Sequence, residues 1–263
     1  MDEQKSQELS AFALELAKAS ERATLAHFRE SLEIDNKLHE GFDPVTAGDR
    51  EAEQIMRAMI EARYPDHSIH GEEFGKKQGS APYTWVLDPI DGTRSFIAGT
   101  VTWATLIGLE FEDRAVIGVM HQPYVRETFL GTPEGAWLLR DGARKRLQVN
   151  PAASLGQAMG TTTAPHLYNT PGKAAFLENM RKNLRNIRYD SDAYFFTLLA
   201  AGCIDIALDA DLQAYDIAPL VPIIEGAGGI VTTWSGEPAR LGGDIIAAAS
   251  RELYDEALAL FNS

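Results

Sequence analysis

The sequence predicts an α+β fold in which two amphipathic helices precede an antiparallel meander, followed by a half where helices and strands alternate. Three observations carry this. Apolar positions recur at helical spacing through the first sixty or so residues. From Tyr83 to about Gln148 they form short runs separated by turn signals. Beyond Pro171 helix-like and strand-like runs alternate to the end of the chain.

The first helix spans about Gln4 to Arg29, with Leu9, Phe12, Leu16, Ala19 and Ala23 on one stripe. A polar connection over Asp35 to Asp43 leads to a second helix. Thr46 is its expected N-cap, Asp49 is its third residue and Pro65 ends it. Ser68 to His70 is a short strand that runs into the acidic loop Gly71-Glu72-Glu73-Phe74-Gly75. The meander comprises Tyr83–Leu87, Ala104–Leu109, Ala115–Met120, Glu127–Leu130, Ala136–Leu139 and Arg146–Gln148. The stretch from Pro151 to Pro171 is rich in Ala, Gly, Thr and Pro, and predicts a boundary between an N-terminal part (1–150) and a C-terminal part (151–263). The second part reads as a helix over Gly172–Leu184, a strand over Asn186–Tyr189 and a helix capped by Ser191 that runs to Gly202. A strand over Ile204–Leu208 and a helix from Asp216 to about Ala227, kinked at Pro222, come next. Strands at Gly229–Thr233 and Asp244–Ala249 precede a last helix capped by Ser250.

The chain has 263 residues, enough for one large domain or two closely joined ones. With 38 acidic and 24 basic residues its formal charge is −14, which argues against a nucleic-acid or anionic-membrane partner. The N-terminus has no hydrophobic signal core and no run is long enough for a membrane span, so a soluble cytoplasmic protein is expected. Cys203 is the single cysteine; it excludes an intrachain disulfide and is expected to be a small core residue. His67 and His70, the only close histidine pair, fall on opposite faces of an extended segment, which argues against zinc.

The chemistry concentrates in Trp85-Val86-Leu87-Asp88-Pro89-Ile90-Asp91-Gly92-Thr93-Arg94-Ser95-Phe96. Pro89 biases Asp88 to an extended conformation, so the strand should persist to the first acid. Gly92 allows a tight turn, after which Gly92, Thr93 and Arg94 can offer N–H groups to an anion. Paired carboxylates beside free N–H groups suit a divalent metal next to phosphate, and would locally invert the negative charge. The same two acids also fit a plain turn and N-cap, as Asp49 and Asp216 fit helix starts and Glu72 a solvated loop.

Taken together, GEE at 71–73, WVLDPIDGTRSF at 85–96 and YDIAPLVPIIEGAGG at 215–229 resemble the inositol monophosphatase family of magnesium-dependent phosphatases. The resemblance implies a layered αβαβα sandwich with an antiparallel sheet in the N-terminal part and a mixed α/β C-terminal part. It implies that Glu72, Asp88 and the Ile90 carbonyl hold one magnesium and that Asp88, Asp91 and Asp216 hold a second. A third, weaker ion would share Glu72. Thr93 and Asp49 would orient the attacking water, and the N–H groups of Gly92 and Thr93 would cradle the phosphate. The expected reaction is direct attack by metal-activated water without a phosphoenzyme. A homodimer is also implied.

Arg94-Ser95-Phe96-Ile97, Gln122-Pro123, Ser191-Asp192-Ala193-Tyr194 and Tyr215-Asp216-Ile217 look most like the histidinol-phosphatase branch, of histidine biosynthesis. Tyr215 stands where the family commonly has tryptophan, and Gly48 where alanine is usual. An ammonium-bearing ester such as L-histidinol phosphate would favour carboxylates beside the metals, for which Asp192 and Asp209 are candidates, with Arg94 as a further substrate contact. Phosphatases for myo-inositol monophosphate, fructose 1,6-bisphosphate or adenosine 3′,5′-bisphosphate are the alternatives within the enzyme class. A non-catalytic binding member of the family is the alternative outside it.

Overall fold

The computed structural model describes residues 1–30, 35–36 and 44–261. Helix α1 (Glu3–His27) is capped by Asp2, whose Oδ1 accepts from the Lys5 N–H at 2.8 Å. Two short strands, β1 (Asp35–Asn36) and β2 (Pro44–Val45), pair antiparallel; most of the polar connection expected between them lies outside the described residues. Helix α2 (Ala47–Arg63) starts at Thr46 with Asp49 as its third residue, as expected.

The first sheet contains β3 (Ser68–Gly71), β4 (Gly75–Lys77) and β5 (Tyr83–Asp91), then the short helix α3 (Thr93–Ala98) leads to β6 (Ala104–Phe111), β7 (Arg114–Gln122), β8 (Glu127–Thr132), β9 (Gly135–Arg140) and β10 (Ala143–Arg146). Its order is β10-β9-β8-β7-β6-β5-β3-β4, antiparallel except where β3 runs parallel to β5. The second sheet has β11 (Met159–Thr161) and, after α4 (Pro171–Asn183), β12 (Asn186–Arg188). Helix α5 (Asp192–Ala200), β13 (Ile206–Leu212), α6 (Ala214–Ile217), α7 (Val221–Gly226), β14 (Ile230–Thr233), β15 (Gly243–Ala248) and α8 (Arg251–Phe261) complete the chain. Its order is β12-β11-β13-β15-β14; β12, β11 and β13 are parallel and β15 is antiparallel to both neighbours.

Side-chain alternation along the strands sorts the core into layers. In β6 and β7, Ile107, Leu109, Ile117 and Val119 face Leu9, Phe12 and Leu16 of α1 and Met56 and Ile60 of α2. Their neighbours Leu106 and Met120 face the other way, onto Phe196 and Leu199 of α5 and Ile217, Ile223 and Ile224 of α6 and α7. The second sheet closes that cluster with Ala207, Ile245 and Ala247, and its outer face packs Leu208 and Ile246 against Phe176 of α4 and Leu253 of α8. The result is the expected αβαβα sandwich.

Several expectations need correction. The last strand of the meander begins at Ala143 rather than Arg146, because Asp141 (φ 50°) and Gly142 (φ 80°) form a two-residue hairpin turn. Strand β13 begins at Ile206, two residues late. Asp205 before it is spent as an anchor, accepting the N–H groups of Ala152 and Met159 at 2.7 Å each. Strands β4 and β11 were not expected; both have three residues, too short for an alternation to be legible. The helix expected from Asp216 is broken rather than kinked: α6 stops at Ile217, and Pro222 falls in the first turn of α7, where its missing N–H costs nothing. Cys203 is exposed. Gly202 ends α5 in the left-handed region (φ 77°), and the N–H groups of Gly202 and Cys203 bond the carbonyls of Leu199 and Leu198, a closing turn that leaves Cys203 outside the core.

A row of glycines positions the second half on the first sheet. Gly108, Gly118 and Gly131 lie side by side across β6, β7 and β8. A Cβ at Gly118 would strike the Pro219 carbonyl, and one at Gly131 would strike the backbone of Pro222 and Ile223. Only a smooth strip of sheet lets the α6–α7 break approach this closely.

Candidate active site

Strand β5 continues past Asp88 to Asp91, further than the proline suggested. Its pairing with β6 shifts register between the two acids, and Thr105 Oγ1 holds the irregular stretch by donating to the Pro89 carbonyl at 2.7 Å. Beyond Asp91, Gly92 is left-handed (φ 74°) and caps α3, and a Cβ there would lie 2.7 Å from Asp192 Cγ. Glycine is therefore required for conformation and for space. Thr93 Oγ1 donates to the Ile90 carbonyl at 3.1 Å.

The acids converge from three elements, the β3–β4 loop, β5 and α6. Carboxylate oxygens of Asp88, Asp91 and Asp216 lie within 4.8 Å of one another. Glu72, in the β3–β4 loop, is hydrogen-bonded through its side chain to Asp88, and its N–H donates to Leu87 O at 3.1 Å. Asp216 does not cap its helix as an N-cap would. It is the third residue of α6, and its Oδ2 accepts the Gln213 N–H at 2.7 Å. The edge-on contact of Tyr215 with His70 ties α6 to β3.

Asp91 serves two purposes. Ser191 has a helical backbone at the start of α5, so its buried hydroxyl makes no capping bond. Asp91 Oδ2 accepts the Ala193 N–H at 2.8 Å instead, capping α5 from the end of β5.

Burial pushes Asp88 well above the usual carboxylate range, reinforced by Glu72, Asp91 and Asp216. Burial does the same to Asp91, reinforced by Asp192 and Asp216. Acids repelled chiefly by other acids are a donor set that needs cations, and hard carboxylate oxygens suit magnesium. Asp49 fits the same surroundings. Its Oδ2 accepts from the N–H and Oγ1 of Thr46 at 2.9 and 2.5 Å, burial raises it to about 7, and its buried Oδ1 has no partner among the described residues.

A cavity of about 100 Å³ opens beside these acids, bounded by Asp91 and Asp216 and by Thr163, Asp192, Ala193 and Asp209. Asp192 sits in the left-handed region (φ 42°), and its Oδ2 accepts from Ser95 Oγ at 2.5 Å and Thr102 Oγ1 at 2.9 Å. Asp209 is buried in β13; Thr162 Oγ1 and the Thr163 N–H donate to its Oδ1 and Thr163 Oγ1 to its Oδ2. Arg94 is exposed at the rim, 3.2 Å from His166 Nε2, and does not line the cavity. The sequence reading overlooked the threonine pair and the Ser95 and Thr102 hydroxyls, since isolated hydroxyl residues carry no pattern. It also overlooked the buried Glu53 of α2, which lies one turn after Asp49 on the same face.

Residues 5–263 match the inositol monophosphatase family as a whole. The chain is 34% identical to a chloroplastic bifunctional phosphatase of Arabidopsis thaliana over 92% of its own length and 72% of that protein. It is 31% identical to a histidinol-phosphatase of Chlorobaculum parvum over 92% of both. A solved inositol monophosphatase from Zymomonas mobilis superposes with a TM-score of 0.86 at 34% identity, covering 98% of each chain. The fold, the convergent carboxylates and these similarities lead to one conclusion: the chain belongs to the inositol monophosphatase family and is a magnesium-dependent phosphoric monoester hydrolase.

Proposed function

We propose that this phosphatase hydrolyses L-histidinol phosphate to L-histidinol and phosphate. The observation that carries the reading is the set of acids that line one small cavity, Asp91 and Asp216 of the carboxylate cluster together with Asp192 and Asp209. A phosphate ester that also carries an ammonium matches both, with its phosphate toward the cations and its ammonium toward the second pair. The similarity to a histidinol-phosphatase supports the same choice. Inositol phosphate is the second reading, favoured by the likeness to the Zymomonas enzyme, since carboxylates also accept hydrogen bonds from a polyol.

In this reading Glu72, Asp88, Asp91, Asp216 and the Ile90 carbonyl hold two or three magnesium ions. When bound, magnesium supplies a Lewis acid for the phosphate oxygens and for the attacking water. The chain does the rest. The N–H groups of Gly92 and Thr93 bind the phosphate, with Arg94 at the rim. Asp49 Oδ1 and Thr93 Oγ1 orient the water, and no side chain is needed as nucleophile; Ser95 is already bonded to Asp192. The reading extends to a cytoplasmic homodimer serving histidine biosynthesis, and light scattering checks the assembly.

The test is phosphate release from histidinol phosphate, inositol 1-phosphate, fructose 1,6-bisphosphate and adenosine 3′,5′-bisphosphate, with and without magnesium. Histidinol phosphate should give the highest kcat/KM. Negligible turnover of it beside rapid turnover of inositol phosphate would overturn the assignment.

A further inference from the structure

Helix α2 carries two buried acids one turn apart. Asp49 faces the carboxylate cluster, whereas Glu53, fully buried, reaches into the Gly71–Gly75 loop. Its Oε2 accepts the Glu73 N–H at 2.8 Å and its Oε1 accepts the Phe74 N–H at 3.2 Å. Oε1 also accepts Arg57 Nε at 2.6 Å, and Arg57 Nη2 donates to the Gly75 carbonyl. A Cβ on Gly71 would collide with Glu53 Oε1, so the glycine that opens the loop makes room for this carboxylate. One ion pair on α2 thus fixes the chain directly after Glu72, holding the N–H groups of the two residues that follow it and the carbonyl that closes the loop.

We propose that Glu53 is a positioning residue for Glu72: through the loop backbone it sets where the Glu72 carboxylate stands beside Asp88, and so sets magnesium affinity without touching metal or substrate. The proposal rests on the reading of Glu72 as a metal ligand. Glutamine at 53 would keep the volume but turn its amide N–H₂ either toward the Glu73 N–H or toward Arg57 and the Phe74 N–H, so at least one contact must break. Groups that hold a metal ligand in place commonly change affinity by about 10–100-fold when altered.

The experiment is calorimetric titration of magnesium into the full-length protein, free of substrate and phosphate, for wild type, Glu53→Gln, Glu72→Gln, the double variant and Arg57→Lys. Glu53→Gln should weaken binding by about 10–100-fold. The double variant should bind no more weakly than Glu72→Gln alone, because the effect of Glu53 passes through Glu72. Arg57→Lys keeps the charge but cannot bridge Glu53 and Gly75 as guanidinium does; it should give a smaller loss in the same direction and provides the readout if Glu53→Gln does not fold. Unchanged affinity in the folded variants, or fully additive losses in the double variant, would overturn the proposal. Wild-type affinity in Glu72→Gln would instead overturn the ligand reading beneath it, an outcome distinct from loss in Glu72→Gln with none in Glu53→Gln.

Discussion

Asp88 in β5 and Asp209 in β13 are equally withdrawn from water, 2% and 1% exposed, and burial raises both carboxyls. What surrounds them differs. Asp209 is closed on itself by Thr162 and Thr163, with three donors sharing its two oxygens. Asp88 is crowded by Glu72, Asp91 and Asp216, and its Oδ1 accepts the Ile90 N–H at 3.1 Å. An acid satisfied by hydroxyls is complete as it stands and can serve as a fixed wall for a substrate. Acids pressed against one another are incomplete, and positive charge completes them. Burial and a raised pKa alone would have made the two sites look alike.

The largest expected effect breaks the crowded side. Asp91→Asn removes one carboxylate charge from the cluster but leaves an oxygen for the Ala193 N–H, so turnover should fall by about 10³-fold or more while the circular dichroism of the fold is retained. Because repulsion is relieved, the metal-free variant should be no less stable than wild type above the ordinary carboxylate range. In the proposed role of Thr93, on the water and not on the cations, Thr93→Ala should lower kcat by about 10²-fold with magnesium affinity unchanged. Parallel loss of rate and affinity would place Thr93 elsewhere.

The self-contained side should respond through substrate and pH. Asp209→Asn should raise KM for the ammonium ester by about 10-fold, the scale of one charge-assisted contact of about 1.5 kcal/mol, with kcat less affected. Asp209 titrates at about 7 in the folded protein against 3.8 as its reference. The folded state therefore holds this proton more tightly than the unfolded one. Its contribution lowers stability as pH rises from about 4 to about 7, and the full penalty applies above that. Wild-type Tm should fall across this window more steeply than that of Asp209→Asn, and KM for the ammonium ester should fall as Asp209 ionises toward pH 8. The smallest effect belongs to exposed Cys203, where serine should change stability by less than about 0.5 kcal/mol in a denaturant titration.

How much of this the sequence disclosed follows the same division. Of the crowded acids, Asp88 and Asp91 are legible because their spacing is local: Asp88, Pro89 and Asp91 announce a strand end, and Gly92 a turn, whereas Glu72 and Asp216 join them only through the family resemblance. The layers were legible from the change in apolar period. What stayed hidden is contact between distant segments. No local pattern in 108, 118 and 131 says that three glycines align to receive the backbone from Pro219 to Ile223, and nothing near Glu53 says that it holds a loop twenty residues on. Ser191 was misread for the same reason: the cap of α5 comes from Asp91, about a hundred residues earlier in the chain. Cys203 looked buried because its neighbours are apolar, while the turn made by Gly202 decided its place.

The claim at the centre is that the β5 acids await cations and Asp209 does not. Thermal melting of wild type, Asp91→Asn and Asp209→Asn with and without saturating magnesium compares the two directly. A ligand present at about a hundred times its Kd stabilises the folded state by about 2.7 kcal/mol, a shift of several degrees. Magnesium should raise Tm alike in wild type and Asp209→Asn and leave Asp91→Asn nearly unmoved. An undiminished shift in Asp91→Asn, or its loss in Asp209→Asn, would contradict the account.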